Sequence, residues 1–168
     1  PLPSPVVTTS NGTAMCLGDT MTISAEAGNK SYLWSTADTT QSIKITKSNS
    51  YFVTVTNNLG CSIQGIPVTI AIKPLPPVSI TPRDTSICMN SSVLLEAKGG
   101  VSYLWSPAAS LSKATGDTVT ARPNVNTTYT VVATGANGCT AEVSRAISLS
   151  PVPPAPTASN NGPVCRQD

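Results

Sequence analysis

The chain has 168 residues, enough for one ordinary domain or two small ones. Only 11% of them are charged and the net charge is +2, against a usual charged share of roughly 25%. With no histidine and no cluster of lysines or arginines, the composition offers no electrostatic footprint for nucleic acid. No run of 18 apolar residues is present to span a membrane as a helix.

In chain order, a weak first strand is expected at VVTTS, residues 6 to 10, and Cys16 follows. Met21, Ile23 and Ala25 then alternate with Thr22 and Ser24, the period of a half-buried strand. In SYLWS, Tyr32 and Trp34 share one face and Leu33 takes the other. QSIKIT gives a short strand on Ile43 and Ile45, and Tyr51, Val53 and Val55 give the next. NNLG is a turn, Cys61 closes it, and a last strand runs from Ile63 to Ile72 with Pro67 marking an edge or a bulge.

After PLPPVS at 74 to 79 the order begins again. VSI at 78 to 80 is a weak strand and Cys88 follows. Val93, Leu95 and Ala97 alternate, and SYLWS returns with Tyr103, Leu104 and Trp105. A longer loop, PAASLSKATGD, leads to DTVTA with Val119. Tyr129, Val131 and Ala133 precede the turn GANG and Cys139, and a last strand covers Val143 to Leu149. The offset between the copies is 72 residues at the first cysteine, 71 at the tryptophan and 78 at the second cysteine. PVPPAP at 151 to 156 forms a second junction. CRQD at 165 to 168 then aligns with CLGD at 16 to 19, so Cys165 reads as the first cysteine of a truncated third repeat, without its partner.

The expected boundaries are residues 1–73 for the first module, 74–150 for the second and 151–168 for a junction and the start of a third. About seven short strands per module, with turns every 8 to 12 residues and no plausible helix, predict an all-β protein. The expected architecture is tandem Ig-like β-sandwich modules joined by short Pro-rich junctions, each core built on Trp34 and Tyr51 or on Trp105 and Tyr129. Proline junctions stay extended and discourage pairing between the last strand of one module and its neighbour.

The five cysteines form no CxxC pair, and no histidine can assist them, so disulfides in an oxidising compartment are favoured over zinc or a nucleophile. Repeat logic pairs Cys16 with Cys61 and Cys88 with Cys139. These positions lie before one strand and after the turn of another, so neither pair is the core bridge of an antibody domain. In a strict Ig topology they could fall toward opposite ends of the sandwich. A Cys61–Cys88 bond across the junction, five reduced thiols, or a dimer through Cys165 are the competing arrangements.

The pattern C-x-G-D-T…Y-x-W-S…Y-x-V-T-V-x-N-x-x-G-C, carried by Cys16, Gly18, Asp19, Tyr32, Trp34, Tyr51, Gly60 and Cys61, resembles the Ig-like and PKD-like repeats of large exported Bacteroidetes proteins. The second module departs at CMNSS, which lacks the glycine–aspartate. The resemblance implies an extracellular or outer-surface protein of the type IX secreted kind, such as adhesins linked to gliding motility, in which these modules act as spacers. Its implied partners are neighbouring repeats, secretion or outer-membrane anchoring machinery, and surface glycans. It also implies O-glycosylation at Thr20, Thr39 and Thr118, each following an aspartate. The alternative role is an accessory or carbohydrate-binding module of a secreted polysaccharide-degrading enzyme. The abrupt start PLPSP and the end GPVCRQD read as a piece of a longer exported chain.

No catalytic constellation, cofactor site or metal site is expected. The acids, among them Asp19, Glu26, Asp38, Asp84, Glu96 and Asp117, are isolated at turns or strand ends. Asp19 is expected to shape its turn rather than hold calcium.

Overall fold

The computed structural model describes residues 5–151, and Cys165 lies outside them. Contacts gather the chain into two compact units. Among the described residues, one holds the chain up to Val78 with Gly99–Ser102 and Ala133–Ala141; the other holds Ser79–Lys98, Tyr103–Val132 and the described residues from Glu142.

Every regular element among the described residues is a strand. In the first repeat these are β1 (Val7–Cys16), β2 (Met21–Ala25), β3 (Ser31–Trp34), β4 (Ser42–Ile45), β5 (Asn49–Tyr51), β6 (Val53–Thr56), β7 (Ser62–Gln64) and β8 (Val68–Lys73). Alternation decides which side chains turn inward: Met21, Ile23 and Ala25 are buried while Thr22 and Ser24 are half-buried. β1 changes partner along its length. Val7 to Thr9 run antiparallel to β2, whereas Ala14 to Cys16 run parallel to β8. β1 thereby links β4 and β2 on one side with β8 and β5 on the other, and β3, β6 and β7 form a further sheet. The enclosed core holds Met15, Met21, Ile23, Trp34, Tyr51 and Ile70, with Val53 and Val55.

The second repeat has β9 (Ser79–Thr81), β10 (Thr85–Cys88), β11 (Val93–Lys98), β12 (Ser102–Ser106), β13 (Thr118–Ala121), β14 (Thr127–Thr134) and β15 (Thr140–Ser150). One sheet has the order β13-β11-β9 and the other β10-β15-β14-β12. β9 is antiparallel to β11, and β10 is parallel to β15. The same partner exchange that β1 makes in one strand is made here by two, separated by Pro82, Arg83 and Asp84. Ile80, Leu95, Trp105, Val119, Tyr129, Val131 and Ile147 are among the residues fully buried there. Three strands on one sheet and four on the other is the seven-strand pattern of an Ig-like β-sandwich. The fold is all-β and Ig-like.

Three details depart from the sequence expectation. The first strand extends through GTAMC to Cys16, and TSIC forms β10, because these segments pair with the last strand rather than with the alternating one. The tyrosine strand of the first repeat is broken at Phe52 into β5 and β6. Its last strand is broken at Gly65, Ile66 and Pro67 into β7 and β8, whereas β15 is continuous. From second cysteine to strand end the first repeat carries one residue more, Cys61 to Lys73 against Cys139 to Ser150, and an inserted residue in a strand is accommodated as a bulge.

Candidate functional site: the cysteine-bearing turns

Each repeat presents its first cysteine where the parallel strand ends. Cys16 stands opposite Lys73, and the N–H of Leu17 donates to the Lys73 carbonyl at 2.9 Å. Cys88 stands opposite Ser150, and the N–H of Met89 donates to the Ser150 carbonyl at 3.2 Å. The turns that follow are alike: Asp19 N–H donates to the Cys16 carbonyl and Ser91 N–H to the Cys88 carbonyl, both at 3.0 Å.

The second cysteines also sit in matching turns. Asn57 N–H donates to the Cys61 carbonyl at 3.0 Å, and Gly135 N–H donates to the Cys139 carbonyl at 2.8 Å. Gly60 and Gly138 hold φ of 82° and 83°. Side-chain carbonyls of Asn57 and Asn137 accept from Cys61 N–H and Cys139 N–H at 2.9 and 3.1 Å.

Cys16 is bonded to Cys139, across 123 residues with the Cα atoms 5.6 Å apart, while Cys61 and Cys88 are exposed free thiols. The expected pairs Cys16–Cys61 and Cys88–Cys139 are therefore corrected, and the Cys61–Cys88 alternative is not formed either. The reason lies in strand direction. The first cysteine does lie beside the last strand, but parallel to it, so it reaches that strand's end and not its beginning, where the second cysteine is. In the second repeat the eleven residues of β15, at about 3.3 Å each, place roughly 35 Å between those ends. A disulfide needs Cα atoms within about 7 Å.

Four of the seven aromatic residues are buried in the cores. Trp34 and Trp105 are each 2% exposed, and Tyr51 and Tyr129 are buried. The indole N–H of Trp34 donates to the Thr40 carbonyl at 2.7 Å, and that of Trp105 to the Gly116 carbonyl at 2.8 Å. The hydroxyl of Tyr51 donates to the Lys47 carbonyl at 2.8 Å, and that of Tyr129 bonds the Ser110 hydroxyl. Buried polar tips are thus satisfied. The remaining three aromatics, Tyr32, Phe52 and Tyr103, are half-buried.

Thr20 and Thr39 are exposed, and Thr118 is half-buried on β13 opposite Glu96. One carboxylate oxygen of Asp19 accepts the Cys16 N–H at 3.3 Å, closing its own turn. Among the described residues no three side chains of His, Cys, Asp or Glu gather closely enough to hold a metal ion. No helix among them is long and apolar enough to cross a membrane. The side chains brought together build an Ig-like structural module.

The profile of the family described as "Ig-like domain CHU_C associated" matches residues 76–151. No curated protein sequence matches the chain. Among solved structures, the three N-terminal domains of the highly immunogenic outer capsid protein Hoc of bacteriophage RB49 align at 21% identity. That alignment covers 87% of this chain and 59% of the phage chain, with a TM-score of 0.44. The fibronectin(III)-like modules of CbhA from Clostridium thermocellum align at 13% identity over 87% of this chain and 95% of theirs, with a TM-score of 0.42. Murine CEACAM1b aligns at 11% identity over 88% and 100%, with a TM-score of 0.33.

Proposed function

We propose that the chain is a structural spacer segment of a large extracellular protein, a surface adhesin or surface filament. Its repeats, with boundaries at 73/74 and 150/151, carry a distal recognition element. The observation that carries this reading is the repetition of a closed core: each copy buries its own tryptophan and tyrosine, and no aromatic side chain of the chain stands exposed. Sugar rings bind by stacking on exposed aromatic faces, and these repeats spend theirs on packing. The profile match over residues 76–151 supports an Ig-like identity for the second repeat. The disulfide supports an oxidising compartment and hence export. Quasi-one-dimensional arrays of this kind gain reach by adding units.

A panel of host and plant glycans, titrated against the whole chain by calorimetry, tests the reading. No binding is expected with ligand raised to the millimolar range. Micromolar affinity for any one glycan would instead establish the accessory carbohydrate-binding role of a polysaccharide-degrading enzyme.

A further inference from the structure

We propose that Cys61 and Cys88 are the two open ends of a disulfide ladder, each taking a cysteine of a further repeat of the same kind; this rests on the array reading above. The rung in the structure runs from the first cysteine of one repeat to the second cysteine of the repeat that follows it, Cys16 to Cys139. Cys88 is the first cysteine of its repeat and Cys61 the second of its own, and both are exposed. Their settings reproduce those of the bonded pair. Cys88 ends a strand parallel to the last strand, as Cys16 does, and the next N–H caps that strand's final carbonyl in both. Cys61 leaves a turn with the same backbone bond and the same left-handed glycine as Cys139.

Two thiols so placed are not two unrelated free cysteines. Translating the observed rung forward by one repeat gives Cys88 the second cysteine of a following repeat. Translating it backward gives Cys61 the first cysteine of a preceding one. Leu59, 78% exposed beside Cys61, occupies the place where Asn137 in the other turn donates to the Pro74 carbonyl at 2.8 Å. At the next step the turn would therefore present a leucine in place of that asparagine, while the cysteine is kept. Each new rung forms when two thiols release two protons and two electrons to a disulfide oxidant. In glutathione buffer one oxidised glutathione is converted to two reduced ones, through a mixed disulfide.

The test joins Ser150 of one copy to Pro1 of a second, which sets the next first cysteine after the strand end at the spacing Lys73 keeps to Cys88, within one residue. This chain of residues 1–150 taken twice is folded in glutathione buffer, alkylated and mapped without reduction. The expected result is a peptide linking Cys88 of the first copy to Cys61 of the second, with Cys16–Cys139 in both copies. Two free thiols per chain then remain where the isolated rungs alone would leave four. Recovery of Cys16–Cys139 in both copies with all four other thiols alkylated overturns the ladder and leaves the spacer reading standing. Bonds within one repeat, Cys16–Cys61 or Cys88–Cys139, or a Cys61–Cys88 bond within one copy, overturn it as well.

Discussion

Gly18 and Asn90 occupy equivalent places after the first cysteine, and both hold a positive φ, 93° and 67°. The second repeat lacks the glycine–aspartate of the first, yet it keeps the turn, because asparagine is the residue after glycine that most readily enters the left-handed region. A Cβ added at Gly18 would meet nothing within 4 Å, so Gly18→Ala carries a torsional cost alone, about 1 kcal/mol. Asn90→Gly should lie within about 0.5 kcal/mol of the parent. Gly99 is a different case: its φ is +97° and a Cβ there would sit 2.1 Å from the Pro77 carbonyl oxygen, so backbone must move. Gly99→Ala should cost about 3 kcal/mol or more. Urea titrations of the three variants check the order, and equal losses for Gly18→Ala and Gly99→Ala would refute the steric argument.

At the scale of elements, the strand that runs parallel to the last one is the feature that sets each first cysteine in place. In the second repeat its start is pinned by Asp84, whose carboxylate accepts the Ala146 N–H of β15 at 2.9 Å, one residue before the pair Thr85 and Ile147. Asp84→Ala should lose about 1–2 kcal/mol and speed hydrogen exchange at Ala146, while Asp84→Asn retains most of both. Unchanged exchange at Ala146 in the alanine variant would show the bond to be unimportant. Alternation made β2, β3, β4, β11, β12 and β13 legible in the sequence, since each shows one face to a core and one to solvent. GTAMC and TSIC were not legible, because a short strand whose partner is remote in sequence carries little periodicity of its own. Repeat logic gave the cysteines equivalent settings but could not give the pairing. That depends on whether the strand ending in each first cysteine runs parallel or antiparallel to β8 or β15, a tertiary fact that no single run of residues records.

For the whole molecule the consequence of the Cys16–Cys139 bond is mechanical. A chain pulled by its ends through a covalent rung can lengthen only outside the rung, so the stretch between the two cysteines, a sequence separation of 123, is shielded from load. In an array joined by the proposed ladder, successive rungs overlap. The stretch from Cys88 to Cys139 would lie inside both the observed rung and the next, so no repeat could be drawn out without breaking a covalent bond. For a spacer that holds an adhesive element under tension, this would turn noncovalent β-sandwiches into a tether of nearly fixed length. Single-molecule pulling on the 168-residue chain tests the mechanical claim on its one observed rung. Without reductant, extension should be confined to the segments outside residues 16–139. Reduction should add about 400 Å, from 123 residues at about 3.3–3.6 Å each. Cys139→Ser should show the added length with no reductant present, and release of the full length from the oxidised parent chain would refute the tether.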